Sequence, residues 1–409
     1  MSALAAPTII DRAEPHAALP RRLRSILSLA DFELAARRHL PQPLFAFVSG
    51  GAEDNASFDG NYAAFREFDL VPRVLVDVAK RTQATALFGR SYASPFGIAP
   101  VGISALSAYR ADLAFARAAA QANIPMVLSG ASLIRMEDVV AENANAWFQA
   151  YLPEDTPRIV ALIERVARAG FEVLVITADT AVAANRENNV RAGFSAPLRP
   201  SLRLAWEGVA HPRWLAGTFL RTLLAHGMPH FENSLATRGA PIISPSVTRE
   251  FSNRSRHNWE HFALIRRMWK GKLLVKGVLA KEDARKACDS GADGIIVSNH
   301  GGRQLDAAVA PLRVLPGIVA ACPGIPVMVD SGIRRGTDVI KALALGAKFV
   351  FLGRPFIFAA AVAGEPGLRH AIDILATEID RDLALLGVTS IAELGAPHLY
   401  RTDAARHLT

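Results

Sequence analysis

Cysteine is scarce. Two residues, Cys288 and Cys322, among 409 exclude a disulfide framework and a cysteine metal cluster. Neither a CxxC nor an HExxH motif occurs, so no metal site is expected. So few thiols suit a reducing compartment. No run of 18 apolar residues exists, which excludes a transmembrane helix. The first 25 residues place Pro7, Pro15 and Pro20 among scattered charges, with no apolar core after a basic start. They do not read as a secretory signal. We read residues 1–25 as a mobile N-terminal arm and expect a cytoplasmic chain. No nucleic-acid recognition motif or aromatic-basic platform is present either. That absence matters because the net charge is +8, from 46 basic and 38 acidic side chains, which favours anionic partners. Small acids, phosphates and anionic lipid remain.

What is present is apolar and rhythmic. Hydrophobic residues make up 51% of the chain and the mean hydropathy is +0.20, enough for a large core. Eight short apolar runs read as strands: Phe96–Ala99, Met126–Ser129, Trp147–Ala150, Val173–Thr177, Leu273–Lys276, Gly294–Ser298, Val327–Asp330 and Phe349–Gly353. Helical patterns such as Asp112–Ala122, Arg158–Ala169 and Glu282–Ser290 lie between them. Eight strand–helix units spell an α/β fold, a (β/α)8 TIM barrel. It is expected over residues 26–395, with a helical lead-in and cap over 30–92 and a C-terminal tail over 396–409.

One connection breaks the rhythm. About 95 residues separate strands four and five, against about 20–30 elsewhere. Within this stretch, residues 196–256 hold eight Arg, three Glu and no Lys or Asp, net +5. They also hold Trp206, Trp214, Phe219, Leu220, Leu223 and Leu224. Arginine and tryptophan beside short apolar stretches suit the plane of a membrane interface. A solvated lid with an apolar underside is the alternative.

The strand ends carry the chemistry, because the loops there share one mouth. After strand six comes Ser298-Asn299-His300-Gly301-Gly302-Arg303-Gln304-Leu305-Asp306, with a base in His300 and a carboxylate clamp in Arg303. Asp330-Ser331-Gly332-Ile333-Arg334-Arg335-Gly336 follows strand seven and Gly353-Arg354 ends strand eight. Glycines let backbone N–H groups approach a phosphate, and arginine adds paired donors. Lys276 ends strand five, where it faces the mouth as a charged group, unless it serves a structural ion pair. Asp179, ending strand four after Thr177, could orient His300, or cap a helix. Tyr151, after Gln149 on strand three, could reach a substrate oxygen, or be packed. Arg186 offers a second positive charge, or lies on the surface.

This ordered set resembles the FMN-dependent 2-hydroxy-acid dehydrogenase/oxidase family over about residues 30–395. The matching segments include Gly50-Gly51-Ala52-Glu53-Asp54, Ile98-Ala99-Pro100, Gln149 and Tyr151, Thr177 and Asp179, Arg186, Lys276-Gly277, the nonapeptide, Asp330–Gly336, Lys341–Ala347 and Gly353-Arg354-Pro355. The basic insertion, with His211-Pro212-Arg213-Trp214 and His226-Gly227-Met228-Pro229, looks most like the membrane-associated (S)-mandelate dehydrogenases of that family. Pro100-Val101-Gly102 looks more like its L-lactate dehydrogenases.

The resemblance implies roles. His300 is the base, Arg303 and Arg186 bind the substrate carboxylate, and Tyr151 contacts the reacting oxygen. Pro100, Gly102, Ser129, Gln149, Thr177, Lys276 and Ser298 line the isoalloxazine of FMN. Asp330, Ser331, Gly332, Arg334, Gly353 and Arg354 hold its phosphate. It implies a small 2-hydroxy acid as substrate, a membrane quinone as acceptor, peripheral contact with the inner face of the cell membrane, and a homo-oligomer, by resemblance a tetramer. A soluble oxidase that forms hydrogen peroxide is the alternative, and Gly102, where many oxidases carry alanine, speaks for a dehydrogenase. One position departs from the pattern. Phe47 stands where the family carries a carboxylate-binding tyrosine. The missing donor is worth about 1.5–3 kcal/mol, roughly 10–100-fold in binding; either the substrate carboxylate relies on Arg303 and Arg186, or the pocket favours a larger apolar substrate or an unusual one.

Overall fold

A computed structural model of the chain describes residues 19–195, 197–246 and 254–402. Most of the N-terminal arm therefore lies outside the described residues. Eight parallel strands form its centre: β1 Phe96–Ile98, β2 Val127–Ser129, β3 Trp147–Ala150, β4 Val173–Thr177, β5 Lys272–Val278, β6 Gly294–Val297, β7 Val327–Asp330 and β8 Phe349–Leu352. They pair in sequence order from β2 to β8, and β8 pairs with β1. A parallel bridge between Ile98 and Met126 closes the circle. All eight strands fall on the apolar runs read from the sequence.

Each strand is buried along nearly its whole length, as both-face burial in a parallel sheet requires. Alternate side chains fill the barrel: Val127, Trp147, Val175, Leu274, Ile296, Met328, Phe349 and Phe351 form one interior cluster. A hairpin, Thr85–Leu87 with Arg90–Tyr92, plugs the N-terminal end. Phe88 meets Trp147 at 5.7 Å between ring centroids, and Tyr92 meets Phe349 at 5.6 Å. With that end closed by aromatic rings, the strands open only at their C-terminal ends.

Helices cover the outside: α1 Ala111–Ala122, α2 Met136–Glu142, α3 Thr156–Arg168, α4 Trp259–Met268, α5 Lys281–Asp289, α6 Pro311–Ala321, α7 Gly336–Ala344 and α8 Arg354–Leu386, the last broken at Gly364. The logic of α3 is typical. Asp155 caps it by accepting from Arg158 N at 2.9 Å, and Ile159, Leu162, Ile163 and Val166 bury one stripe. Three lead-in helices, Leu29–His39, Gln42–Ser49 and Ala56–Phe65, precede the barrel. The second and third reach the open mouth. The segment expected as a C-terminal tail contains a strand, Leu399–Arg401, paired antiparallel with Phe68–Leu70.

The long connection after β4 is largely helical. It holds Glu187–Ala192, Leu202–Ala210 and a run from Pro212 to His226 whose middle, Leu215–Leu220, is π-helical. Its aromatic residues divide between two environments. Trp214 is buried, donates its indole N–H to Leu106 O at 2.7 Å and stacks on Phe219 at 5.6 Å. Trp206, Leu202 and Leu224 are 70%, 92% and 89% exposed. Trp214 therefore anchors the insertion to the barrel, and only the others present an apolar face outward.

Candidate active site

The open end of the barrel holds a cavity of about 650 Å³. All residues expected at the site from the sequence line it except four. Ser129, Gln149, Asp179 and Ser298 sit one layer behind, hydrogen-bonded to groups at or near the wall.

His300 follows β6 in left-handed backbone, φ 59°. A non-glycine residue there is strained, and such strain persists where the surroundings hold it. The holders are visible: His300 N donates to Ser298 Oγ at 3.0 Å and His300 Nδ1 lies 3.0 Å from Asp179 Oδ1. Burial pushes the imidazole below its ordinary pKa, and Asp179 partly opposes this. Burial would raise the Asp179 carboxyl, but His300 and then Lys276 hold it below the carboxylate range. The pair is thus a neutral imidazole backed by a carboxylate, ready to take a proton. Gly277 makes room for it. Its φ is +100° and a Cβ there would come within 2.7 Å of the Asp179 side chain.

Lys276 is buried, 3.1 Å from Asp330 Oδ2 and 2.8 Å from Ser298 Oγ. Burial lowers its pKa, yet Asp330 and Asp179 raise it above its ordinary value, so it is a fixed cation. Asp330, grouped with the phosphate residues by sequence, turns its carboxylate to Lys276 and to Ser331 Oγ at 2.8 Å. A carboxylate in that pairing repels phosphate.

Three guanidiniums converge on the other side. Arg186 donates to Arg303 O at 3.0 Å and Gln304 Oε1 at 2.8 Å. Arg303 donates through Nη1 to Gly50 O at 2.8 Å and Val48 O at 3.3 Å. Arg354 donates to Val48 O, Gly301 O and Gly50 O at 2.9–3.0 Å. Among the described residues none of the three pairs with a carboxylate. Burial, then Arg186 and Arg354, press the Arg303 pKa well down, and burial with Arg334 pushes Arg354 to about 10. So much buried positive charge needs anions. Arg354, expected at a phosphate, is engaged with backbone carbonyls at all three nitrogens. The N–H groups opening α8 behind Gly353 have no side-chain cap. Arg334, which stacks on Tyr62 at 5.1 Å, lies nearby on the same wall. Gly332, φ +86°, packs where a Cβ would meet Asn61 O at 2.8 Å.

Two further observations fit a flat, polar-edged cofactor on the floor. Gln149 Nε2 and Thr177 Oγ1 are buried and have no hydrogen-bond partner. Both sit at strand ends, and Thr177 pairs in register with Lys276. Orphaned buried polar groups are rare and ask for a ligand. A donor, a hydroxyl and a fixed cation suit the heteroatom edge of an isoalloxazine, and the arginine cluster suits a phosphate.

The side-chain end of the cavity was only partly legible. Phe47 pairs with Phe194 at 4.5 Å and lies under the Arg303 guanidinium at 4.9 Å. Phe231, Ile242 and Val190 extend an apolar wall. Arg254 also lines the cavity, its guanidinium 4.4 Å above the Tyr151 ring, and burial raises the Tyr151 pKa. Phe194, Phe231, Ile242 and Arg254 all come from the long connection, which has no strand-end rhythm to mark them. Asp306, the last residue of the nonapeptide, accepts from Ser57 N at 2.8 Å and Ala56 N at 3.2 Å, so it caps the third lead-in helix.

Comparison with known proteins agrees with this geometry. Residues 36–401 match the model of the FMN-dependent dehydrogenase family. The chain is 36% identical to (S)-mandelate dehydrogenase of Pseudomonas putida over 379 residues, covering 92% of this chain and 94% of that protein. It is also 36% identical to L-lactate dehydrogenase of Pectobacterium atrosepticum over 396 residues, covering 93% and 98%. Among solved structures, monotopic membrane protein (S)-mandelate dehydrogenase superposes with a TM-score of 0.86 at 36% identity, over 92% of this chain and all of that one. Mandelate oxidase with (S)-2-phenylpropionate gives 0.76 at 35% identity, covering 92% and 98%. The chain therefore belongs to the FMN-dependent dehydrogenase family, and FMN is its cofactor.

Proposed function

We propose that this protein oxidises an (S)-2-hydroxy acid with a bulky apolar side chain, mandelate-like rather than lactate-like, to its 2-oxo acid, and passes the electrons to a membrane quinone. One observation carries the reading: a neutral His300 backed by Asp179 shares one cavity with buried guanidiniums that, among the described residues, lack a carboxylate, beside an aromatic wall. FMN, when bound, would take up the two electrons and the second of the two hydrogens the substrate loses, His300 taking the other as a proton.

The chain's residues do the rest. Arg303, organised by Arg186, binds the substrate carboxylate. His300 Nε2 accepts the proton, and Asp179 steadies the imidazolium that forms. Tyr151 hydrogen-bonds the reacting oxygen. Lys276, Gln149, Thr177, Ser129 and Ser298 hold the ring of FMN together with Pro100 and Gly102, and Asp330 acts there through Lys276. Gly332, Ser331, Arg334, Gly353 and Arg354 shape the phosphate end. Phe47 and Phe194 receive the substrate side chain.

The membrane part of the reading rests on the exposed Leu202, Trp206 and Leu224 in an insertion of net +5, and on the membrane-protein relative. No helix among the described residues is long and apolar enough to cross a membrane. The contact we propose is peripheral, on the inner face. A homotetramer completes the proposal. A soluble peroxide-forming oxidase would share the chemistry, but that outward apolar face favours the membrane.

The test is turnover with an artificial acceptor along a series of (S)-acids from lactate to mandelate. The proposal expects kcat/KM to rise with side-chain size. Faster turnover of lactate than mandelate would overturn the apolar-pocket assignment.

A further inference from the structure

A 2-hydroxy acid carries its hydroxyl and its carboxylate on adjacent carbons, so the base and the carboxylate clamp must stand in a fixed relation. Gln304, which lines the same cavity as His300 and Arg186, joins the two. Its Nε2 donates to Asp179 O at 3.1 Å, and its Oε1 accepts from Arg186 Nη2 at 2.8 Å. The amide can face only one way. Reversed, its NH2 group would meet a guanidinium and its oxygen a carbonyl. Asp179 is the residue that backs His300, at 3.0 Å, and Arg186 also donates its Nε to Arg303 O at 3.0 Å. One side chain thus spans from the support of the proton acceptor to the clamp.

The chemistry of this strut matters as much as its span. Carboxylates make the strong, paired bonds that orient a guanidinium best. Arg186 is oriented by neutral oxygens instead, a backbone carbonyl and an amide. Neutral acceptors fix direction without cancelling charge. Burial lowers the Arg186 pKa, while Tyr151 and Asp179 oppose this. Asp179 is the carboxylate of the two, and it is already engaged with His300. A glutamate in place of Gln304 would have nearly the same size and would form an ion pair with Arg186. The neutral amide therefore stands where a charge-cancelling partner would fit.

We infer that Gln304 is a positioning residue whose neutral amide holds Arg186 in place while leaving its charge for the substrate carboxylate. The inference rests on the 2-hydroxy-acid reading and adds to it the residue that keeps the clamp open to an anion.

The test compares the wild type, Gln304→Glu and Gln304→Met, each loaded with FMN. Three quantities are measured: the thermal midpoint, the Kd of phenylacetate from its perturbation of the flavin spectrum, and kcat and KM for (S)-mandelate. Phenylacetate carries the ring and the carboxylate but no hydroxyl, so it reports the clamp without the chemistry. Gln304→Glu gives Arg186 a carboxylate. It should melt no lower than Gln304→Met, yet weaken phenylacetate and raise the KM for mandelate by about 10–100-fold, the range of one hydrogen bond to a charged group, with a smaller change in kcat. Gln304→Met removes both hydrogen bonds and adds no charge, so phenylacetate should weaken by less than about 10-fold. A merely structural role predicts instead that affinity follows the thermal midpoint. Phenylacetate bound as well by Gln304→Glu as by Gln304→Met overturns the inference. A larger loss than expected in Gln304→Met overturns it too, and decides the matter alone if Gln304→Glu does not load FMN. Failure of the wild type to reduce its flavin with any 2-hydroxy acid, while it still binds phenylacetate, removes the 2-hydroxy-acid reading and leaves the charge argument to the binding data.

Discussion

Replacing Asp179 by Asn removes one charge from the pair it forms with His300 and leaves the shape almost unchanged. The contact is 3.0 Å, and the two side chains are 12% and 18% exposed, so water does little to screen it. A unit charge pair about 4 Å apart is worth about 4 kcal/mol at an effective dielectric near 20. A hydrogen bond to a charged group contributes about 1.5–3 kcal/mol net. The asparagine still accepts from His300 Nδ1, so only the charge is lost. We expect the rate of flavin reduction to fall by about 2–3 kcal/mol of barrier, roughly 30–150-fold. The pH profile gives a second, independent sign. Neutral His300 is the active form, and its pKa already lies below the usual 6.5 because burial outweighs Asp179. Activity in the wild type should therefore be lost as pH falls through a midpoint below 6.5. Asp179 raises that midpoint, so Asp179→Asn should move it lower while lowering the plateau. Anaerobic stopped-flow across pH measures both. An unchanged plateau, or a midpoint that moves upward, would refute the assigned role of Asp179.

Two other variants probe separate parts of the account. Phe47→Tyr sets a phenol beside Arg303, whose guanidinium lies 4.9 Å from that ring, and should lower the KM for lactate by roughly 10-fold or more; an unchanged value would put the carboxylate elsewhere. Trp206→Glu with Leu224→Glu removes two outward apolar side chains, each worth about 1.5–3 kcal/mol when fully buried. Sedimentation with anionic vesicles should show at least a 100-fold weaker partition, with turnover by a soluble acceptor retained; unaltered partition would place the membrane contact on another surface.

The barrel was legible because parallel strands buried on both faces must be short apolar runs, and eight of them occur in rhythm. The strand-end residues were legible for the same reason, since a polar residue closing such a run has only the mouth to face. His300, Asp179 and Lys276 are of this kind. Direction was not legible. Asp330 and Arg354 sit in phosphate-like sequence, yet one turns to Lys276 and the other to backbone carbonyls of the lead-in loop. Nothing in a sequence interval says which way a side chain leaves a turn. The insertion was least legible. Trp206 and Trp214 look alike in sequence, but one is exposed and the other reaches Leu106 O. Phe194 and Arg254 enter the cavity only because the connection folds back over the mouth.

The most direct test of the central claim is anaerobic reduction of the flavin by (S)-mandelate in the wild type and in His300→Ala, each loaded with FMN. The account predicts rapid bleaching in the wild type, and an intact flavin spectrum with essentially no bleaching in the variant. Bleaching of His300→Ala at the wild-type rate would contradict it.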